Sequence, residues 1–234
     1  MSLLTIVQAV SDRVGLVRPS AVIGSSDAQV RNLLGLVQQE GRDLAARYNW
    51  SALIKEKTFT ATATAAQSSA IPTDFDRFVN GSMWNRTRDN YIQGPLSAQD
   101  WQAIQATVAP SIIEAFRVRG SSLLITPTPT AGDSYAYEYV STFWAGVAAS
   151  TEPGLVEFTA DNDNGYIKEE LLTLGTVWRF QKARGLDYGE SMQSYEIAVK
   201  RAIDRDGGAG VVMMGGPSES WPPKARIPET GWTG

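Results

Sequence analysis

The sequence predicts an α+β protein that is mainly helical, in which two pairs of helices flank a β-rich middle region. Three observations lead to this prediction. Apolar residues recur at helical spacing in the first 50 residues and again from residue 166 onward. Residues 51–145 instead show alternating runs rich in threonine and tyrosine, which are typical of strands. The last stretch, 208–234, combines glycines with four prolines, which exclude a regular helix or a central strand.

Two helices are predicted before residue 50. The first ends at Gly15 and carries six apolar residues at helical spacing, namely Leu3, Leu4, Ile6, Val7, Val10 and Val14. The second spans about 27–49, because Ser26 and Gln29 fit a capping box and an apolar stripe follows them. At about 1.5 Å per residue, a helix of this length suits a bundle or a wall.

The middle region is predicted to begin with a strand in the run LIKEKTFTATATA, which alternates and is rich in threonine. Pro72 interrupts the pattern, and Asp74 and Asp76 are expected to be turn residues. A short strand then resumes over 79–85. These features favour antiparallel strands joined by short turns.

The second half of the middle region is predicted to hold a short helix, a hairpin and one long strand. Ser97 is expected to cap the helix, with Asp100 in its first turn. The hairpin turns around Gly120–Ser121. The long strand, SYAYEYVSTFW, places three tyrosines on one face: Tyr135, Tyr137 and Tyr139.

Two more helices are predicted from residue 166, ending at Gly185 and Gly207 and joined as an antiparallel hairpin. The first has Ile167, Leu171, Leu174, Trp178 and Gln181 along one side. The second has Met192, Tyr195, Ala198, Val199, Ala202 and Ile203. We therefore expect a four-helix bundle from residues 1–50 and 166–207, a β-rich insertion at 51–165, and an extended C-terminal arm at 208–234.

The composition excludes several classes of chemistry. The chain contains no cysteine, so disulfides, thiolate nucleophiles and cysteine-based zinc sites are impossible. It contains no histidine, which removes Ser-His-Asp triads and histidine-ligated metals. We therefore expect no enzyme, no catalytic residue, no cofactor and no metal site.

Charge and hydropathy indicate the environment. The net charge of −4 argues against general binding to the DNA backbone, although a weakly acidic surface is compatible with a passage through which DNA slides. No apolar run approaches the roughly 20 residues that a membrane-spanning helix needs. The first residues also lack the pattern of a secretory signal. We expect no membrane partner.

Two glycine-containing segments resemble ligand loops only superficially. DNDNGYIKEE, at 161–170, departs from a calcium-binding loop, because Ala160 and Leu171 fall on required ligand positions. We interpret it as a loop that caps the following helix. GGAGVVMMGG, at 207–216, lacks the Lys-Ser/Thr of a phosphate-binding loop and is interpreted as a hinge.

Three further groups of residues have a functional and a structural interpretation. The carboxylate pairs Asp74/Asp76 and Glu169/Glu170 match a glycosidase pair only in residue type, and a turn and a helix N-terminus explain them. The tyrosine row and several tryptophans (Trp84, Trp101, Trp144 and Trp178) suit either a stacking platform or core packing, and core packing is favoured. The basic runs 85–89 and 117–119 suit solvated hairpin faces or interface salt bridges.

The order of these features resembles a known family. A helix ending in YNW (48–50), the turn IPTDF (71–75), the strand YAYEY (135–139) and a terminal helix hairpin follow one another. This order is similar to that of the head-to-tail adaptor proteins of tailed bacteriophages, including the tail-tube adaptors of short-tailed phages. The resemblance covers roughly residues 1–206.

The resemblance implies a structural virion protein at the head–tail junction, made in the host bacterial cytoplasm. Such adaptors form a ring, typically of twelve copies, under the portal protein. The ring extends the channel for genomic DNA, which passes without sequence recognition, and offers a platform to a tail or nozzle protein. A C-terminal extension often reaches along the portal, so the arm is expected to bind the portal or a neighbouring subunit through Trp221, Pro222, Pro223, Lys224, Arg226 and Trp232.

Two other functions remain open at this point. The chain is also compatible with another tail or neck component, such as a tube terminator or a nozzle subunit, which composition does not separate from an adaptor. A carboxylate-dependent carbohydrate-active enzyme is the alternative from a different class.

Overall fold

A computed structural model describes residues 2–106 and 114–207 and shows a mixed α+β fold. The helices are α1 Leu3–Val14, α2 Ala28–Arg47, α3 Ala98–Ala106, α4 Glu169–Ala183 and α5 Gly189–Arg205, with a short 3-10 helix at Ser51–Leu53. The strands are β1 Ile54–Thr60, β2 Ala66–Gln67, β3 Phe75–Phe78, β4 Trp84–Asn85, β5 Asn90–Tyr91, β6 Ala115–Arg119, β7 Ser122–Thr126, β8 Ser134–Ser141, β9 Ala145–Gly146 and β10 Asn164–Gly165. The predicted arm, 208–234, lies outside the described residues.

The two N-terminal helices form where the sequence predicts them, with one correction at a cap. Helix α1 ends at Gly15, whose φ of 70° is the left-handed conformation that favours glycine. Helix α2 is capped by Asp27, whose side chain accepts a hydrogen bond from the Gln29 amide at 2.7 Å. The predicted capping box led by Ser26 is therefore wrong, because the aspartate one residue later takes the capping position.

Helix α4 lies at the centre of the helical part and packs against α1, α2 and α5. The predicted stripe on α4 is incomplete for this reason. Leu171 is buried as predicted, but Leu174 and Trp178 are only partly buried, whereas Leu172, Val177 and Phe180 are buried. A helix with neighbours on three sides buries more of its circumference than one amphipathic stripe provides.

The largest sheet is built around β8. Strand β1 pairs with β8 along its whole length in antiparallel register, from Ile54 opposite Val140 to Thr60 opposite Ser134. On the other side of β8, β3 and β4 pair with successive parts of the strand, and β5 extends β4. A second sheet has the order β2-β7-β6, and β9 pairs with β10.

Two hydrophobic clusters form the interior. The helical cluster contains the inward faces of α1, α2, α4 and α5 together with Trp144 and Phe158, which follow β8 in the chain. The β cluster contains the row Tyr135, Tyr137 and Tyr139 with Phe59, Phe116 and the apolar residues of β7. Long strand β8 contributes to both clusters, because Val140 belongs to the helical one.

The hairpin β6–β7 turns at Gly120 (φ 61°) as predicted, and Ser97 accepts a hydrogen bond from the Asp100 amide at the start of α3.

The prediction for residues 74–85 is partly wrong. Strand β3 begins at Phe75, within the expected turn, and the later strand covers only Trp84–Asn85. Phe75 and Phe78 pack against the β cluster and are partly buried there. This packing favours a strand over 75–78, although the sequence around Asp76 is polar.

Candidate interaction surfaces

Four carboxylates are buried among the described residues: Glu40, Asp74, Asp133 and Asp163. Asp74 is fully engaged in the structure. Its oxygens accept hydrogen bonds from Lys55 Nζ at 3.0 Å, Ser141 Oγ at 2.8 Å and the Tyr139 hydroxyl at 3.0 Å. Burial alone would raise the pKa of Asp74, but these donors lower the pKa below its usual value. Asp74 is a turn residue as predicted, since the Phe75 amide donates to the Pro72 carbonyl at 3.2 Å across it, and its side chain also connects β1, β3 and β8. The same prediction is wrong for Asp76, which lies in strand β3.

Glu40 of α2 is the most deeply buried of these carboxylates and is completely shielded from solvent between helices. Its Oε2 accepts a hydrogen bond from Arg179 Nε at 2.6 Å, and Arg179 also binds Asp43 at 2.7 Å. Burial raises the pKa of Glu40 above its usual value, although Tyr195 and Arg179 oppose the shift. A Cβ at Gly175 of α4 would collide with the Glu40 side chain, so glycine is required there.

Sequence reasoning missed the Glu40 site, although a signal for it exists. Glu40 falls on the apolar stripe of α2 between Val37 and Leu44, both of which are fully buried. An acidic residue at such a position must find a partner inside the protein. The stripe therefore indicates a buried ion pair, but not that Arg179 supplies the positive charge.

The acidic loop at 161–165 accepts hydrogen bonds from two other segments of the chain, at 22–23 and 159–160. Asp161 accepts hydrogen bonds from the amides of Val22 and Ile23, and Asp163 accepts from the amides of Thr159 and Ala160. These contacts join the loop to the connection between α1 and α2. The interpretation as a cap for the following helix is wrong, because the residue at the cap, Lys168, makes no side-chain capping bond. In the described ranges, no group of acidic residues is arranged to hold a metal ion.

The aromatic residues are mostly structural, as predicted. Tyr135, Tyr137, Tyr139, Trp101 and Trp144 are buried, which leaves no tyrosine platform for stacking. The hydroxyl of Tyr137 donates to the Ala70 carbonyl at 2.5 Å. Burial raises the pKa of all three tyrosines, so they remain neutral donors. Trp84 and Trp178 are partly exposed.

The first basic run of the β region, 85–89, carries salt bridges within the chain. Arg86 pairs with Glu56 at 2.9 Å, and Arg88 pairs with Asp133 at 2.8 Å. In the hairpin β6–β7, Arg119 is exposed and Arg117 is partly exposed. The structure therefore agrees with solvated faces for the first run.

The hairpin α4–α5 presents the main exposed apolar side chains of the helical part. Leu186 at its turn is 55% exposed, and Ile197 and Met192 on α5 are 45% and 39% exposed. Ile197 lies opposite the buried side of α5, which carries Tyr195, Val199 and Ala202. Ile197 is therefore the apolar side chain that α5 presents on its outer side.

The structure does not test the predicted partner-binding residues. Trp221, Pro222, Pro223, Lys224, Arg226 and Trp232 all lie outside the described residues. Across the ranges the structure describes, no helix combines the length and apolar character of a membrane span.

The titratable clusters of the described residues join helices and strands to one another, which is a structural role. The comparison with protein families gives the class of protein. Residues 1–215 match the model of the SU10 adaptor protein family, and the chain therefore belongs to this family of phage head-to-tail adaptors. A search of curated proteins found no match.

Proposed function

We propose that the chain forms a ring beneath the portal of a tailed-phage capsid, typically of twelve copies. The ring extends the channel for genomic DNA and provides the attachment platform for a tail or nozzle protein. Family membership over residues 1–215 carries this proposal. The weakly acidic net charge of −4 supports passage of DNA without adhesion.

In this proposal, residues 1–50 and 166–207 act as a four-helix bundle that forms the ring wall, and the insertion 51–165 extends from it. Packing of α1, α2 and α5 around α4 supports a common helical body. The outer surface of α5, which carries Ile197, contacts the neighbouring subunit. A closed ring needs such a heterologous contact, in which one subunit presents a different surface from the one it receives.

The arm 208–234 provides the contact with the portal or a neighbouring subunit. Tryptophan and arginine dominate many interfaces, and the arm contains Trp221, Arg226 and Trp232. Pro222 and Pro223 stiffen the free segment and lower the cost of ordering it. Lys224 adds a positive charge next to this pair.

Ring formation is tested with the full chain alone and with its portal by mass photometry and electron microscopy. We expect rings for the unchanged chain, and fewer rings for Ile197→Glu because a charge would be buried at the contact. Val17→Glu is the matched control, since Val17 is 92% exposed and lies outside the hairpin. A protein that stays monomeric with its portal at high concentration would falsify the ring.

The role of the arm is tested by removing residues 216–234. We expect an unchanged circular-dichroism spectrum and weaker docking to the portal, because the truncation leaves the described elements intact. Normal incorporation of the truncated protein into particles would contradict the role of the arm.

A further inference from the structure

One face of the largest sheet carries an open groove of about 530 Å³, which we call the Trp84 groove. Strands β1, β4 and β8 and the connection at 79–83 form its walls. The side chains that give it its character are Glu56, Trp84, Arg86, Asp89 and Glu138. Trp84 is partly exposed there, so its indole can contact a group that enters the groove.

The charge of the Trp84 groove is acidic. Three carboxylates line it, from Glu56, Asp89 and Glu138, against the single guanidinium of Arg86. Glu56 and Glu138 stand directly opposite each other on β1 and β8, where like charges repel. Arg86 pairs with Glu56 at 2.9 Å, whereas the exposed Glu138 has no ion-pair partner within the described ranges. A cation that a partner brings to Glu138 would therefore be stabilised.

The hairpin β6–β7 presents such a cation. Three of the five arginines within residues 51–165 form ion pairs with carboxylates of the chain. The other two, Arg117 and Arg119 of β6, form none with any residue that the structure describes. They are two positions apart on one strand and so lie on the same face of the hairpin. Arg119 is exposed and directly precedes the turn at Gly120, so the tip of the hairpin carries an available guanidinium.

The groove and the arginine face of the hairpin lie on opposite sides of the insertion. Tyr137 and Tyr139 of β8 belong to the β cluster together with Phe116 of β6, so the second sheet covers the tyrosine face of the first. Glu138 alternates with these tyrosines and points to the other face. On β6, Arg119 alternates with the inward-facing residues in the same way and points away from the first sheet. A second copy is therefore the source of an arginine for the groove.

We propose that the Trp84 groove receives the β6–β7 hairpin of a neighbouring copy, with the Arg119 guanidinium beside Glu138 and against the indole of Trp84. Guanidinium groups pair with carboxylates and stack on aromatic faces. Because the two surfaces differ and lie on opposite sides of the subunit, the contact is heterologous and repeats from copy to copy. The inference rests on the proposed ring for its partner, and it adds a contact between insertions to the contact made by α5.

The test is disulfide cross-linking between two single-cysteine variants of the full chain, which contains no natural cysteine. Ser121→Cys places a thiol at the exposed tip of the hairpin. Thr58→Cys places one on β1, where Thr58 is exposed on the same face as Glu56. One variant carries a tag, so that the heterodimer has a mass of its own. We expect the mixture to form the heterodimer under mild oxidation, and each variant alone to form little homodimer because the contact is heterologous.

Charge reversal identifies the pair of residues. Glu138→Arg in the Thr58→Cys chain, or Arg119→Glu in the Ser121→Cys chain, should each reduce the heterodimer by about fivefold or more, because like charges then meet. A mixture of the two reversed chains restores opposite charges and should restore the heterodimer. Thr151→Cys in place of Thr58→Cys is the matched control, since Thr151 is exposed and lies outside the groove. It should give no heterodimer.

The possible results separate the contact from the ring. Absence of the heterodimer would overturn the contact, while rings in the same sample would leave the proposed function intact. A heterodimer whose yield ignores both charge reversals, or that forms equally with Thr151→Cys, would also overturn the contact. Loss with each reversal and recovery with both would establish it. If this recovery occurs without closed rings, the contact stands and the ring fails.

Discussion

The helical part and the β part differ in how they hold a buried carboxylate, as Glu40 and Asp74 show. In the β part, Asp74 receives three side-chain donors from β1, β8 and the end of β8, and its pKa is lowered. In the helical part, none of the Glu40 surface is exposed, and burial raises its pKa against the hydrogen bonds of Tyr195 and Arg179. Burial and hydrogen-bond donors therefore shift the pKa of a carboxylate in opposite directions, and their balance differs between the two sites.

Both parts use glycines for close packing. Side chains at Gly41 and Gly175 would collide with Trp144 and Glu40 in the helical part, and one at Gly94 would collide with Phe116 in the β part. The β part also fills its interior with aromatic rings whose hydroxyls find acceptors, as the Tyr137 hydroxyl does at Ala70. Both parts are thus sensitive to added volume, and the β part also to lost polar partners.

The largest effect is expected from Asp74→Asn. The substitution removes the charge that faces Lys55 and leaves two hydroxyl donors with a weaker acceptor. We expect a loss of about 3 kcal/mol in the free energy of unfolding, at the low end for a broken buried pair because Lys55 keeps some contact with solvent. Urea denaturation followed by tryptophan fluorescence measures it.

Asp76→Asn is the matched control. Asp76 stands two residues further along and pairs with Arg77 at a more exposed site. We expect a loss below about 1 kcal/mol there. Equal losses at the two positions would remove the distinction between a buried polar anchor and a surface charge.

The second prediction concerns packing in the helical part. Gly41→Ala adds a methyl group where the Trp144 ring already stands, and we expect a loss of about 2 kcal/mol from strain. Gly35→Ala is the control on the same helix, because nothing lies within 4 Å of the added atom. It should stabilise the protein by about 0.5–1 kcal/mol. If both variants gain stability, the close approach of α2 to Trp144 is absent.

The sequence predicted those elements whose signals are local. The helical spacing of Leu3 to Val14, the turn at Gly120 and the tyrosine alternation of β8 each depend on neighbouring residues alone. The resemblance to head-to-tail adaptors was confirmed by the family match. The expected core role of the tyrosine row was also confirmed.

The partners of the buried charges could not be predicted, because they join distant parts of the chain. Glu40 and Arg179 are 139 positions apart, and Asp74 and Ser141 are 67 apart. Periodicity shows that Glu40 faces inward but carries no information about which helix faces it. For the same reason Gly175 looked like an ordinary helix residue until the Glu40 side chain beside it was known.

The sharpest test of the comparison comes from the pH dependence of Glu40→Gln. Because folding raises the pKa of Glu40 above its ordinary value of 4.5, the folded state prefers the neutral acid. The stability that the neutral Glu40 side chain contributes is fully present below pH 4.5. It is lost as the pH rises through the pKa that Glu40 has in the folded state. Glutamine resembles the neutral acid, so the stability of the variant relative to the unchanged protein should increase between pH 4 and pH 8. The gain is about 1.4 kcal/mol for each unit by which the pKa is raised.

Asp74→Asn should show the opposite trend over a different range. The pKa of Asp74 is lowered from 3.8, so its contribution is present above that pH and is lost as the pH falls through the folded pKa. The difference between this variant and the unchanged protein should therefore shrink only below about pH 3.8. Melting temperatures measured from pH 2.5 to pH 8 distinguish the two pH dependences. Glu196→Gln is the control, because it removes a carboxylate from an exposed ion pair with Arg47. If Glu40→Gln loses stability relative to the unchanged protein as the pH rises, Arg179 outweighs burial, and the two parts treat their carboxylates alike.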